Sequence, residues 1–123
     1  METLAVIFTL LVAVEHVYIM LLEMVFSTSK AAQRTFGLTE EFLKDQRVRT
    51  LFANQGLYNG FLAAGLFWGV LFAPAPHNTS IQLFFLACVI IAAAFGAVTS
   101  NRGILIKQGM PAILAIIFVL LSL

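Results

Sequence analysis

Apolar residues fall in four long runs, at residues 4–26, 50–73, 81–98 and 104–123, separated by short polar stretches. A run of about 20 apolar residues crosses the ~30 Å hydrocarbon layer as a helix. None of the runs shows the two-residue alternation of a membrane β-strand, and a helix satisfies its own backbone groups inside lipid. The pattern predicts an all-α integral membrane four-helix bundle, a single transmembrane domain over residues 1–123.

The one long connection is 27–49. Ser29 is placed to cap a short helix over 30–36 that ends at Gly37, where glycine tolerates a left-handed cap. Thr39 is placed to cap a second helix, with Glu40 and Glu41 in its first turn favoured by the helix dipole. Only glycines interrupt the helical pattern between Thr39 and Ala73, so the second span is expected to begin early and project beyond the membrane. Pro74 and Pro76 stop it. The turn at 99–103 is tight, which makes the last two helices antiparallel neighbours.

Charge orients the bundle. Lys30, Arg34, Lys44, Arg47 and Arg49 lie in the first connection, and Arg102 and Lys107 lie at or just past the third. The N-terminal stretch and the connection 74–80 carry none. All seven cations therefore share one side, and the positive-inside rule makes that side cytoplasmic, an N-out/C-out topology.

Composition agrees, with 61% hydrophobic residues, 11% charged and 12 Phe among 123 residues. A net charge of +1 points away from nucleic acid; the basic residues are explained by topology and anionic inner-leaflet lipid. Cys88 is alone, so no disulfide framework and no thiolate metal cluster is expected. The start Met1-Glu2 lacks the cationic region of a signal peptide, and the first run is too long for one, so it is expected to stay as an anchor. Asn78-Thr79-Ser80 matches a glycosylation sequon and is read as chance.

The unusual chemistry is inside the spans. Glu15, His16 and Glu23 lie in the first, where a charge at mid-membrane costs ~2.5–3.5 kcal/mol on insertion scales and is expected to face protein or a wet cavity. On a helical wheel they span about 100°. In the second span, Asn54, Gln55, Tyr58 and Asn59 form a polar stripe, with Arg47 below them. Gly56, Gly60 and Ala64 form an opposite ridge of small residues, read as an outward surface for helix contact in a homo-oligomer. Lys107 and Gln108 add polarity at shallow depth in the fourth span, where Pro111 lacks the N–H that would bond the Lys107 carbonyl. The outer halves hold almost nothing polar. A polar cavity in the cytoplasmic half is the expectation. With one buried histidine, a closed metal site is not expected among these donors.

Two segments carry a family likeness: Glu15-His16-Val17-Tyr18-Ile19-Met20-Leu21-Leu22-Glu23-Met24 and Asn54-Gln55-Gly56-Leu57-Tyr58-Asn59-Gly60-Phe61-Leu62-Ala63-Ala64-Gly65. Together they resemble the DUF-thirteen-oh-four family of small bacterial four-span membrane proteins, over essentially the whole chain. That resemblance implies a bacterial inner (plasma) membrane location and supplies no mechanism. A fainter similarity is to the MAPEG superfamily, four-helix membrane proteins of eicosanoid and glutathione metabolism. Arg47 and Asn54 resemble its Arg…Asn motif, and Leu57 and Thr50 stand where that superfamily has an acidic residue and a further arginine. The similarity implies a homotrimer.

Three functions compete. The first is a site that binds or acts on a lipophilic molecule or membrane lipid. In it Glu15 or His16 handles protons, Glu23, Asn54, Gln55, Tyr58, Asn59 and Gln108 orient polar groups, and Arg47 or Lys107 attracts an anionic head. The second is a non-catalytic scaffold whose polar face fixes helix register. The third is a proton-coupled transporter or channel, which the dry outer half and the missing inverted repeat argue against. No cofactor is named by the sequence.

Overall fold

A computed structural model describes all of residues 1–123. It is all-α: six α-helices, two π-helical turns and no strand. The helices are α1 (Glu2–Met24), α2 (Lys30–Phe36), α3 (Glu40–Lys44), α4 (Gln46–Phe67), α5 (His77–Thr99) and α6 (Met110–Leu121). One π turn, Trp68–Phe72, extends α4, and the other, Leu105–Gly109, leads into α6. The chain resolves into two compact units, His16–Phe61 and a second made of Met1–Glu15 with Leu62–Leu123. The division cuts α1 after Glu15 and α4 after Phe61.

Two helices, α1 and α5, are long and apolar enough to cross a membrane. A soluble protein's core helix passes the same test of length and composition, but it is mostly buried. Only 33% of the apolar window of α1 is buried, and 22% of that of α5. Leu4, Ile7, Leu11 and Val14 of α1 and Phe84, Ile91 and Phe95 of α5 are exposed. Contiguous apolar surface of this kind marks contact with a membrane or another protein. The last apolar stretch, Leu105–Leu121, is shorter.

The larger unit is centred on small and branched side chains: Ala5, Val12, Ala13, Leu66, Leu86, Val89, Ala112, Ala115 and Val119. Alanines at helix contacts let backbones approach. Phe8 stacks on Phe118, with ring centroids 5.1 Å apart. Gln82 is buried among them, donating from Nε2 to the Gly69 carbonyl (3.2 Å) and accepting from the Thr9 hydroxyl (3.4 Å). Gly69 belongs to the first π turn, where the widened ladder leaves carbonyls in need of side-chain donors. The second π turn precedes Pro111, whose missing N–H deprives the Lys107 carbonyl of its usual α-helical partner.

The smaller unit holds the second half of α1, α2, α3 and the start of α4. Ser29 caps α2, its hydroxyl accepting from the Ala32 N–H at 3.1 Å. Gly37 ends it at φ +67°. Thr39 caps α3 through the Phe42 N–H. The expected unbroken helix from Thr39 to Ala73 is corrected at Asp45. Its Oδ1 accepts from the backbone N–H of Arg47 at 2.9 Å, ending α3 and starting α4 afresh.

Candidate functional site

The smaller unit is organised around one buried carboxylate. His16, Ile19, Leu22 and Glu23 form the buried stripe of α1, and Glu23 is 0% exposed. Their spacing keeps them on one side of the helix. Across from them, α4 presents Gly56, Asn59 and Gly60. A Cβ built on Gly56 would lie 2.6 Å from Met24 Cγ, 3.0 Å from Glu23 Cβ and 3.1 Å from the Met20 carbonyl. Only glycine admits so close an approach. On Gly60 the same atom would meet Met20 Sδ at 2.6 Å.

That approach brings Asn59 to Glu23. The Asn59 Nδ2 donates to Glu23 Oε1 at 2.5 Å. Gln55, one turn earlier, also stands near this carboxylate. Oε2 is buried and has no hydrogen-bond partner. An acceptor left unmade away from water costs ~1–3 kcal/mol.

Beside this pair lies an open cleft of about 400 Å³, lined by Met24, Ser27, Gln46, Arg49, Thr50, Ala53, Asn54 and Leu57. The six lining residues of α4 follow helical spacing and so form one stripe along its axis. The next arginine is differently placed. Arg47 points to solvent and binds Asp45 through Nε (3.2 Å) and Nη2 (2.9 Å). Those bonds hold the Asp45 carboxyl below its ordinary value and push the Arg47 guanidinium above its own. On α3, Lys44 pairs with Glu40 at 2.9 Å and depresses that carboxyl through the hydrogen bond and its charge.

Glu23, Asn59 and the nearby Gln55 come together from the sequence-predicted set, and Asn54 lines the cleft. His16 is buried, at 1% exposure, on the stripe that carries Glu23. Tyr58 does not join them. It is 64% exposed and packs edge-on against Phe61, with centroids 5.7 Å apart. The two faces of α4 are thus corrected: the glycines face α1, and Asn54, Gln55 and Tyr58 are exposed. Close backbone approach decided the packing, and Asn59, at the border of the two faces, serves both. Arg47 is tied to Asp45 and does not line the cleft. Glu15 is partly buried, Lys107 exposed and Gln108 partly buried, all in the larger unit.

Sequence reasoning missed Met24, Ser27, Gln46, Arg49, Thr50, Ala53 and Leu57 as cleft residues. The signal was present: once α4 starts at Gln46, positions 46, 49, 50, 53, 54 and 57 share a face.

The family model described as "Protein of unknown function (DUF1304)" matches residues 10–120. The chain belongs to the DUF1304 family. The match spans the Glu23–Asn59 pair and every residue lining the cleft. A relative at 42% identity is "Uncharacterized protein YpaA" of Lactococcus lactis subsp. lactis (strain IL1403), aligned over 117 residues that make up 95% of this chain and 97% of that protein. No solved structure matches.

Proposed function

We propose that this chain is a four-span protein of the bacterial inner (plasma) membrane, N-out/C-out, whose cytoplasmic-half site binds or acts on a lipophilic molecule. The observation that carries the reading is the Glu23–Asn59 pair beside a cleft of about 400 Å³. A carboxylate with one oxygen unpartnered and fully buried is costly, and inside a membrane segment such a residue marks a working site by default. The exposed apolar sides of α1 and α5 support a lipid environment, and the one-sided distribution of the seven cations supports the orientation.

In this reading His16 handles protons, while Glu23, Asn59 and Gln55 hold polar groups. A homo-oligomer belongs to it as well. Asn54, Gln55 and Tyr58 are exposed on α4, and a second copy offers them hydrogen-bond partners that acyl chains do not. A trimer follows from the MAPEG likeness alone.

The test is the lipophilic content of the protein purified in mild detergent, read by solvent extraction and mass spectrometry. Wild type is expected to retain a bound molecule that Ala53→Trp, which fills the cleft, releases. Equal content in both, with Ala53→Trp eluting and melting as wild type does, refutes the reading. A second reading, the non-catalytic scaffold, draws on the Asn59–Glu23 bond as a device that fixes helix register. It wins if Ala53→Trp leaves a cellular phenotype intact and Gly56→Leu abolishes it.

A further inference from the structure

The cleft has an ordered polarity along α4. Gln46, Arg49 and Thr50 make one end, and Ala53, Leu57 and the Met24 side chain of α1 make its inner end with the Asn54 amide among them, while Ser27 completes the lining. From Gln46 to Leu57 the axis rises ~16 Å. No acidic residue lines it. Arg47, outside the lining, gives the Nε/Nη2 edge of its guanidinium to Asp45. Arg49 lines the cleft and has no carboxylate at ion-pair distance. Thr50 spends its hydroxyl proton on the Gln46 carbonyl at 2.9 Å, which leaves Arg49 as the strong donor at that end.

We infer that the cleft takes an amphiphile with a single anionic head, the head on Arg49 and the apolar tail along Ala53, Leu57 and Met24. The inference rests on the lipophilic-site reading above and names the chemistry of its ligand. An unpaired guanidinium presents two parallel N–H donors that suit a carboxylate or a phosphate diester, and it repels a cationic head. The inner end, with Asn54 its one amide among apolar side chains, admits a hydrocarbon chain and holds no charged group for a second anionic head. At about 400 Å³ the cleft lies toward the small end of ligand sites, enough for a head and the first part of one chain. An anionic membrane lipid and a free fatty-acid anion share this chemistry.

Binding of oleate, dioleoyl phosphatidylglycerol and neutral monoolein is measured by native mass spectrometry on the full chain in detergent, each against wild type, Arg49→Gln, Arg49→Lys and Arg47→Gln. At least one anionic amphiphile is expected to bind wild type about tenfold more tightly than monoolein. Arg49→Gln should erase that preference, Arg49→Lys keep part of it, and Arg47→Gln leave it unchanged. Preference for oleate alone or for the phospholipid alone supports the inference and identifies the source of the head. Monoolein binding as tightly as both anions, or a preference that survives in Arg49→Gln, overturns the inference while leaving the lipophilic site standing. Failure of all three to bind overturns both.

Discussion

Asn59 donates its side-chain amide to Glu23, 36 residues earlier in the chain, and leaves the second carboxylate oxygen without a partner. Deleting either member strands the other. Asn59→Ala is expected to destabilise the protein by about 1–3 kcal/mol, because it leaves a buried acceptor unmade. The double change Glu23→Leu, Asn59→Leu removes both polar groups and should cost less than Asn59→Ala alone. Thermal unfolding in detergent of Glu23→Leu, Asn59→Leu and the double variant, with Asn59→Ala alongside, checks this through the non-additivity of the cycle. Additive losses would show that the two side chains act independently.

Gly56 and Gly60 should respond differently to one methyl group. At Gly56 the new Cβ meets Met24 Cγ, Glu23 Cβ and the Met20 backbone carbonyl, none of which moves freely. Gly56→Ala is expected to cost about 1–3 kcal/mol by overpacking. At Gly60 the obstacle is the Met20 thioether, which can rotate away. Alanine also gains up to about 1 kcal/mol of helix propensity over glycine. Gly60→Ala should therefore lie within about 1 kcal/mol of wild type, and a melting comparison that reverses this order would contradict the packing of α4 on α1.

Asp45 gives the start of α4 a pH dependence. Its carboxyl is held below the ordinary value by the Arg47 side chain and then by backbone N–H groups, so it binds fewer protons folded than unfolded. The cap is complete above the unfolded value of about 4 and weakens as pH falls through the lower folded value. Hydrogen exchange at Arg47 and Val48, corrected for intrinsic rates, should accelerate on acidification in wild type. Asp45→Asn keeps a capping oxygen that does not titrate, and its exchange should stay flat over that range.

Sidedness is checked with cysteines in a Cys88→Ala background. Ser29→Cys is expected to react with an impermeant maleimide only after the cytoplasmic face is opened, and Asn78→Cys from the outside in intact cells. Labelling of both from one side would refute the four-span arrangement.

Much of the small unit was legible in the chain because its signals are local. Ser29, Gly37 and Thr39 each act within four residues, and the short helix over 30–36 follows from them. The break at Asp45 is local too, but a carboxylate followed by helix formers reads equally well as a first-turn acid. The faces of α4 were harder. A wheel separates Gly56 and Gly60 from Asn54 and Tyr58, and nothing in one sequence says which side meets α1. The price of exposing polar groups to lipid argued for one choice, and glycine's close approach argued for the other. Gln82 was passed over because an amide at the sixth residue of α5 looks like part of a helix start. Its role depends on the Gly69 carbonyl in a widened turn, a feature no residue pattern encodes. Arg49 was missed for a related reason: choosing between it and Arg47 requires knowing which one Asp45 holds.

The two ion pairs of the first connection change how its electrical pull is reckoned. Five cations lie between α1 and residue 50, yet Glu40 occupies Lys44 and Asp45 occupies Arg47. Lys30, Arg34 and Arg49 are left with no carboxylate at ion-pair distance, and under the proposed four-span reading, at ~1 kcal/mol for each basic residue near an anionic surface, these three would carry most of the connection's attraction to phospholipid headgroups. Neutralising Lys30 or Arg34 should weaken that attraction, whereas neutralising Lys44 or Arg47 mostly frees an acid that opposes it.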